Sequence, residues 1–191
     1  MIELIRADQY TKMLWKNGAG FTLEIARSQG EGDFEWRISM ADVTTSGPFS
    51  LFPNKQRIIS VLDGQGMVLQ VDDLAAKTLN QGDIFAFHGE NQVQSELVDG
   101  AIRDLNLIYD SAKFHARFQR VESTEEQTFL SSADLIFIFN SGSDTEIAIE
   151  DKVFFLAAHE TLKIEKITAI TSVHFPQNWA KNCYVIELIQ R

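Results

Sequence analysis

Between Glu35 and Met40 the chain alternates strictly, with Trp36, Ile38 and Met40 on one side and Glu35, Arg37 and Ser39 on the other. A period of two marks a strand whose faces meet different surroundings; a helix would repeat near every 3.6 residues. Comparable short runs follow at 57–62, 66–71, 84–87, 92–98 and 103–109. A second set covers 133–139, 145–149, 152–156, 160–164, 169–175 and 183–189, again set apart by Gly, Asp and Asn. No long amphipathic helix separates the runs, which excludes a doubly wound α/β sheet. Only three prolines and as many as 14 phenylalanines suit sheets packed face to face, so the expected fold is all-β, a sandwich or jelly roll.

The polar stretch from Val121 to Gln127 divides the two sets. It predicts one lobe at 1–120 and a second, diverged lobe at 121–191, with the N-terminal strands free to cross over between them. Each half carries a glycine-turn hairpin followed by a later apolar strand, the pattern expected of two diverged copies of one sandwich. A chain of 191 residues accommodates two such small lobes.

Charge narrows the partners. With 27 acidic against 17 basic residues the net charge is -10, and no Lys/Arg cluster offers phosphates a track, so nucleic acid is not an expected partner. Cys183, the single cysteine, has no thiol to pair with and is read as a buried structural group in a reducing compartment. Met1 to Tyr10 lack the apolar core of a signal peptide, and no run approaches the roughly 20 apolar residues of a membrane span. A cytoplasmic protein with no membrane partner is expected.

Val61-Leu-Asp-Gly-Gln-Gly66 has the shape of a cupin hairpin, and Leu79-Asn-Gln-Gly-Asp83 leading into Ile84-Phe-Ala-Phe87 resembles the second cupin motif. A metal-bearing cupin places two histidines and a carboxylate before such a hairpin and a further histidine after the second turn, because a divalent ion needs several donors converging. Here Arg57 stands near the carboxylate position and Gln92 near the later histidine, while His88, His115, His159 and His174 show no ligand spacing. No metal and no cofactor are therefore expected. A guanidinium at the mouth favours an anionic guest, since its paired donors match a carboxylate; a structural ion pair is the competing reading. Arg37 adds a second cation on the polar face of its strand, where a solvated face is the alternative.

Other motifs carry less. Trp15-Lys-Asn-Gly-Ala-Gly-Phe-Thr22 is glycine-rich but lacks the spacing of a phosphate loop, and Asn17-Gly18 reads as a tight turn feeding a strand at Phe21–Ile25. No serine sits in a nucleophile elbow and no catalytic residue is assigned. Asp72-Asp73 and Glu125-Glu126 read as solvated turns, and Phe114 to Phe118 as packing.

Three segments go beyond a generic cupin: Trp15 to Ile25, Trp36-Arg-Ile-Ser-Met-Ala41, and Gly47-Pro-Phe-Ser-Leu-Phe-Pro53 followed by Arg57. Together with Gly100-Ala-Ile-Arg-Asp-Leu-Asn-Leu107, they resemble the HutD/Ves family in order across the first half. The resemblance implies a metal-free bicupin, two cupin-like jelly-roll lobes in one chain, that binds a small carboxylate. It further implies a regulatory or accessory role in histidine utilisation, toward a formylglutamate-like or urocanate-like molecule. The matching positions are Trp15, Asn17, Gly18, Thr22, Glu24, Trp36, Arg37, Ser39, Phe52, Arg57, Asp104 and Asn106. On that reading Arg57 and Arg37 capture the carboxylate, Asn17 and Asn106 bond an amide or formyl group, Trp36 and Phe52 form walls, and Glu24 and Asp104 orient the arginines. Leu105 stands where relatives carry a larger aromatic, and Asn54 where they carry glycine. Two other readings stay open: a metal-independent cupin isomerase or hydrolase using Glu24 or Asp104 as base, and a scaffold pairing through its sheet faces as a homodimer.

Overall fold

The computed structural model describes residues 1–15, 20–29, 33–121, 125–166, 169–176 and 183–191. Its strands are β1 (Ile2–Ile5), β2 (Thr11–Leu14), β3 (Gly20–Arg27), β4 (Trp36–Val43), β5 (Gly47–Pro48), β6 (Gln56–Asp63), β7 (Met67–Val71), β8 (Lys77–Leu79), β9 (Ile84–His88), β10 (Val93–Leu97) and β11 (Ile102–Tyr109). They continue with β12 (Phe114–Val121), β13 (Gln127–Ser131), β14 (Leu135–Asn140), β15 (Thr145–Ile149), β16 (Lys152–Leu156), β17 (Thr161–Glu165), β18 (Thr171–Phe175) and β19 (Cys183–Gln190). One 3-10 turn, Ala7–Gln9, is the helix among the described residues, and none is long and apolar enough to cross a membrane.

The chain divides into two units, Tyr10–Lys113 and Phe114–Arg191 with Met1–Gln9 added. This differs from the boundary expected at 120/121. Val121 to Gln127 connects β12 to β13 inside the later unit, and β12 pairs along its whole length with β19, from Phe114 opposite Gln190 to Val121 opposite Cys183. A polar stretch marks a connection, but only pairing says which side of it a strand belongs to.

Each unit is two antiparallel sheets. In the first, β2-β3-β4-β11-β6-β9 faces β5-β10-β7-β8; in the second, β1-β17-β14-β19-β12 faces β13-β18-β15-β16. The order β4-β11-β6-β9 of the first unit recurs as β12-β19-β14-β17 in the second, and β5-β10-β7-β8 recurs as β13-β18-β15-β16. One topology is thus used twice, a duplication that near-identity of sequence does not reveal.

The core of the first unit is built from alternate residues: Ala41, Val43, Ile59, Val61 and Ile102 from the larger sheet meet Met67, Leu69, Val71, Leu79 and Val93 from the smaller. The second unit repeats this with Ile136, Ile138, Val185 and Cys183 against Ile147, Ile149, Val173 and Phe175. Burial of such side chains stabilises each by roughly 1.5–3 kcal/mol. The turn after β6 needs its glycines, since Gly64 and Gly66 have φ of 96° and 99°. A Cβ on Gly66 would stand 2.4 Å from the carbonyl oxygen of Leu79.

Candidate functional site

The interior face of the larger first-unit sheet changes character along its length. At one end, Val43 and Ile102 lie opposite each other; toward the other, Asp104 pairs with Ala41 and Val61, then Asn106 with Ser39 and Ile59, then Ile108 with Arg37 and Arg57. Because residues directly opposite in an antiparallel pair share a face, register alone brings Arg37, Ser39, Arg57, Asp104 and Asn106 onto one surface. Glu24, opposite Ser39, and Thr22, opposite Ala41, extend it from β3.

Arg57 is 7% exposed and lies at the centre. Its Nη2 donates to Asn106 Oδ1 at 2.8 Å and its Nη1 to the carbonyl of Ser50 at 3.3 Å. Asn106 in turn donates from Nδ2 to Asp104 Oδ1 at 2.5 Å. The Arg57 guanidinium carbon sits 4.8 Å from the centre of Phe49, 5.1 Å from Phe87 and 5.4 Å from Phe52. Arg37 reaches the same group of rings, 4.8 Å from Phe34 and 5.2 Å from Phe52. These ring faces carry negative charge density that partly stabilises two neighbouring cations.

Electrostatics follow from burial. Desolvation lowers Arg57 to about 10, with Asp104 opposing that shift and Arg37 adding to it. Desolvation raises Asp104 to about 7 against the pull of Arg57, the backbone N–H of Ala41 and Asn106. Arg37 is lowered, again chiefly by burial, with Glu24 acting the other way. The Nε of Arg57 and the Nε of Arg37 are both buried and have no hydrogen-bond partner among the described residues. A buried donor left unpaired is costly, so an acceptor supplied from outside would be bound favourably.

The remaining positions divide. Phe52 lies beside both guanidinium groups. Trp36 does not: period two sets it, with Ile38 and Met40, on the opposite face from Arg37 and Arg57, where it is buried. Trp15 donates from Nε1 to Thr22 Oγ1 at 2.9 Å and packs at the apolar end of the core rather than beside the arginines. Asn17 and Gly18 lie outside the described residues. Four contributors were not anticipated in the site. Phe87 is directly opposite Arg57 in the β6–β9 register, so strand pairing held the signal; Phe49 lies inside the Gly47–Pro53 segment already singled out. Phe34 gave no local signal. Lys55, 8% exposed, lies 5.6 Å from the Phe34 ring, and its Nζ is 3.2 Å from Asp33 and 4.0 Å from Asp110.

Among the described residues, no three of His, Cys, Asp and Glu stand together in a way that would hold a metal ion. A surface depression of about 210 Å³ lies nearby, lined by Lys55, Gln56, His88, Glu90 and Asp110, on the other face of β6 from Arg57.

A sheet-pair topology used twice, with a polar cluster on the inner face of the first copy, defines a protein of the bicupin class. The chain belongs to the HutD family, whose model matches residues 7–180. HutD from Pseudomonas fluorescens SBW25, solved in a formate condition, is 38% identical with a TM-score of 0.88 and covers all of both chains. An uncharacterized 21.2 kDa protein in the hutC 3' region of Pseudomonas putida is 44% identical over 167 residues, 86% of this chain and 87% of its own. Protein Ves of Escherichia fergusonii is 34% identical over 129 residues, 66% of this chain and 67% of its own. At 10% identity, YhhW of Escherichia coli covers 98% of this chain and 97% of its own with a TM-score of 0.66, a likeness of fold alone.

Proposed function

We propose that this chain is a receptor for a small carboxylate, held by Arg57 and Arg37, with a regulatory or accessory role in histidine utilisation. The observation that carries the proposal is the pair of buried guanidinium Nε–H groups with no acceptor among the described residues, set among Phe34, Phe49, Phe52 and Phe87. A planar carboxylate supplies two acceptor oxygens to such donors, and the surrounding rings exclude the water that would weaken the pairing. Membership of the HutD family and a relative located beside hutC support the metabolic setting. A formylglutamate-like or urocanate-like molecule fits this chemistry, having one carboxylate for Arg57 and a second polar end for Ser39 or Arg37.

A cupin-type isomerase or hydrolase is the second reading, favoured by one feature: a carboxyl, Asp104, held near neutrality by burial. Its 2% exposure, with Asn106 standing between it and Arg57, favours binding over catalysis.

Thermal shift of metal-stripped protein against urocanate, formylglutamate, formiminoglutamate, glutamate and histidine tests the proposal, with divalent metals alone in parallel. The expected result is a rise in Tm with at least one carboxylate that vanishes in Arg57→Ala. No response to any carboxylate, or one that survives in Arg57→Ala, removes Arg57 as the receptor.

A further inference from the structure

We propose that anion capture at Arg57 is coupled to the uptake of one proton by Asp104, so that the first unit holds its carboxylate more tightly as the solution becomes more acidic through neutrality. The coupling presupposes an anion at Arg57, the receptor reading given above, and adds a regulation of that site.

The geometry is a buried line of three side chains. Arg57 bonds Asn106 at 2.8 Å and Asn106 bonds Asp104 at 2.5 Å, with all three residues at most 7% exposed. Asn106 is a neutral spacer with no proton to give up, so it fixes the separation of the two charges without passing a proton between them. In the empty site ionised Asp104 and Glu24 balance Arg57 and Arg37, while the third cation, Lys55 beside Phe34, is matched by Asp33 at 3.2 Å and Asp110 at 4.0 Å. An added carboxylate leaves a poorly hydrated cluster with one negative charge in excess, a costly state at low dielectric. The arginines have no further proton to accept, so neutrality is restored at a carboxylate, and the most buried one is Asp104. Written out, free anion plus ionised Asp104 plus one proton gives bound anion plus protonated Asp104.

Protonation leaves the line intact, because Oδ1 of a neutral carboxyl still accepts from the Asn106 amide. Asp104 is already held at about 7 by burial, so a modest further push crosses neutrality. The charged groups acting on Asp104 are Arg57 from β6 and Asp42 from β4, with Arg37 and Glu24 beyond them on the same face as Arg57. The smaller sheet contributes apolar Met67, Leu69, Val71 and Val93 to the shared core. His88, bonded to Gln56, is on the opposite face of the sheet.

The test is a formate titration of the intact protein followed by NMR chemical shifts from pH 6 to pH 8.5, a range in which formate stays ionised. Wild type is expected to bind about fivefold more weakly at pH 8 than at pH 6.5. Asp104→Asn, which imitates the protonated carboxyl and retains His88, is expected to bind with little dependence on pH. Calorimetry of wild type in two buffers of different ionisation enthalpy needs no variant, and is expected to show uptake of about half a proton or more per formate at pH 7.5. A pH-independent Kd with no proton uptake overturns the coupling and leaves the receptor reading standing. Absence of formate binding at every pH, together with no response to the larger carboxylates, overturns both.

Discussion

Asn106 braces Arg57 from behind, accepting a hydrogen bond from Nη2 at 2.8 Å through an amide that is itself 5% exposed. The other end of that amide donates to Asp104, so replacing Asn106 strands a buried cation and a buried carboxyl together. Asn106→Leu is expected to lower unfolding free energy by about 2–4 kcal/mol, since each partner loses a charge-assisted bond and gains none. Urea denaturation at pH 7 measures this. A loss under about 0.5 kcal/mol, the range of neutral surface changes, would show that water replaces the amide.

Asp104 makes stability depend on pH in a definite direction. Its carboxyl ionises near the ordinary 3.8 when the chain is unfolded and at about 7 in the fold. Between those values the folded state holds the proton more strongly, so the contribution of this group is full below 3.8, declines as pH rises toward 7 and is level above. Asp104→Asn removes that decline. Its stability relative to wild type is expected to rise from pH 4.5 to pH 7.5 by an amount on the order of a few kcal/mol. Chemical denaturation at three pH values checks the trend, and parallel curves for the two proteins would refute it.

The hairpin after β6 offers a purely conformational prediction. At Gly66 φ is 99°, and a Cβ would meet the carbonyl of Leu79 at 2.4 Å, backbone that has no flexible end to yield. Gly66→Ala is expected to destabilise the protein by about 1–3 kcal/mol, read as a fall in urea midpoint without a change in slope. Gly100→Ala is a control for strain without collision: its φ is 71°, with nothing within 4 Å of an added Cβ. It should cost less. Equal losses at the two sites would mean that the contact with Leu79 relaxes.

Much of this was legible in the sequence where chemistry is local. The alternation at 35–40 gave β4 and correctly set Arg37 and Ser39 apart from Trp36. The same alternation also contradicts a role for Trp36 as a pocket wall, a role that came from the family resemblance and not from periodicity. The glycine hairpin and the Gly-Asp turn marked β6, β7 and β9, while the short β8 at Lys77–Leu79 carried no alternation of its own. What stayed hidden depends on pairing between distant segments. Phe114 to Phe118 reads locally as packing, yet it opens strand β12, because its partner β19 lies more than sixty residues away. Phe87 stands across from Arg57 through a register that no local pattern encodes. The duplication is equally non-local: strand order is retained between the units while the side chains at equivalent places have diverged, Asn106 beside Ser39 in one and Glu187 beside Arg117 in the other.

That last equivalence yields a prediction for the second unit. Glu187 occupies on β19 the place that Asn106 holds on β11, opposite Ile136 as Asn106 is opposite Ile59. It is fully buried, accepts a hydrogen bond from Ser131, and has its Oε2 at 3.1 Å from Arg117 Nε, although Arg117 is half exposed. The ion pair compensates a carboxylate that cannot reach water, so removing one partner is worse than removing both. Arg117→Ala is expected to cost about 2–4 kcal/mol by leaving the buried charge unpaired, whereas adding Glu187→Gln to it should recover roughly half of that loss. Ser131 can still bond the amide in the double variant, which keeps the comparison to one charge pair. Urea denaturation of both single variants and the double gives the coupling energy. A coupling near zero would mean that solvent entering beside Arg117 already screens the Glu187–Arg117 pair, and that among the described residues the second unit relies on Ser131 to seat its buried acid.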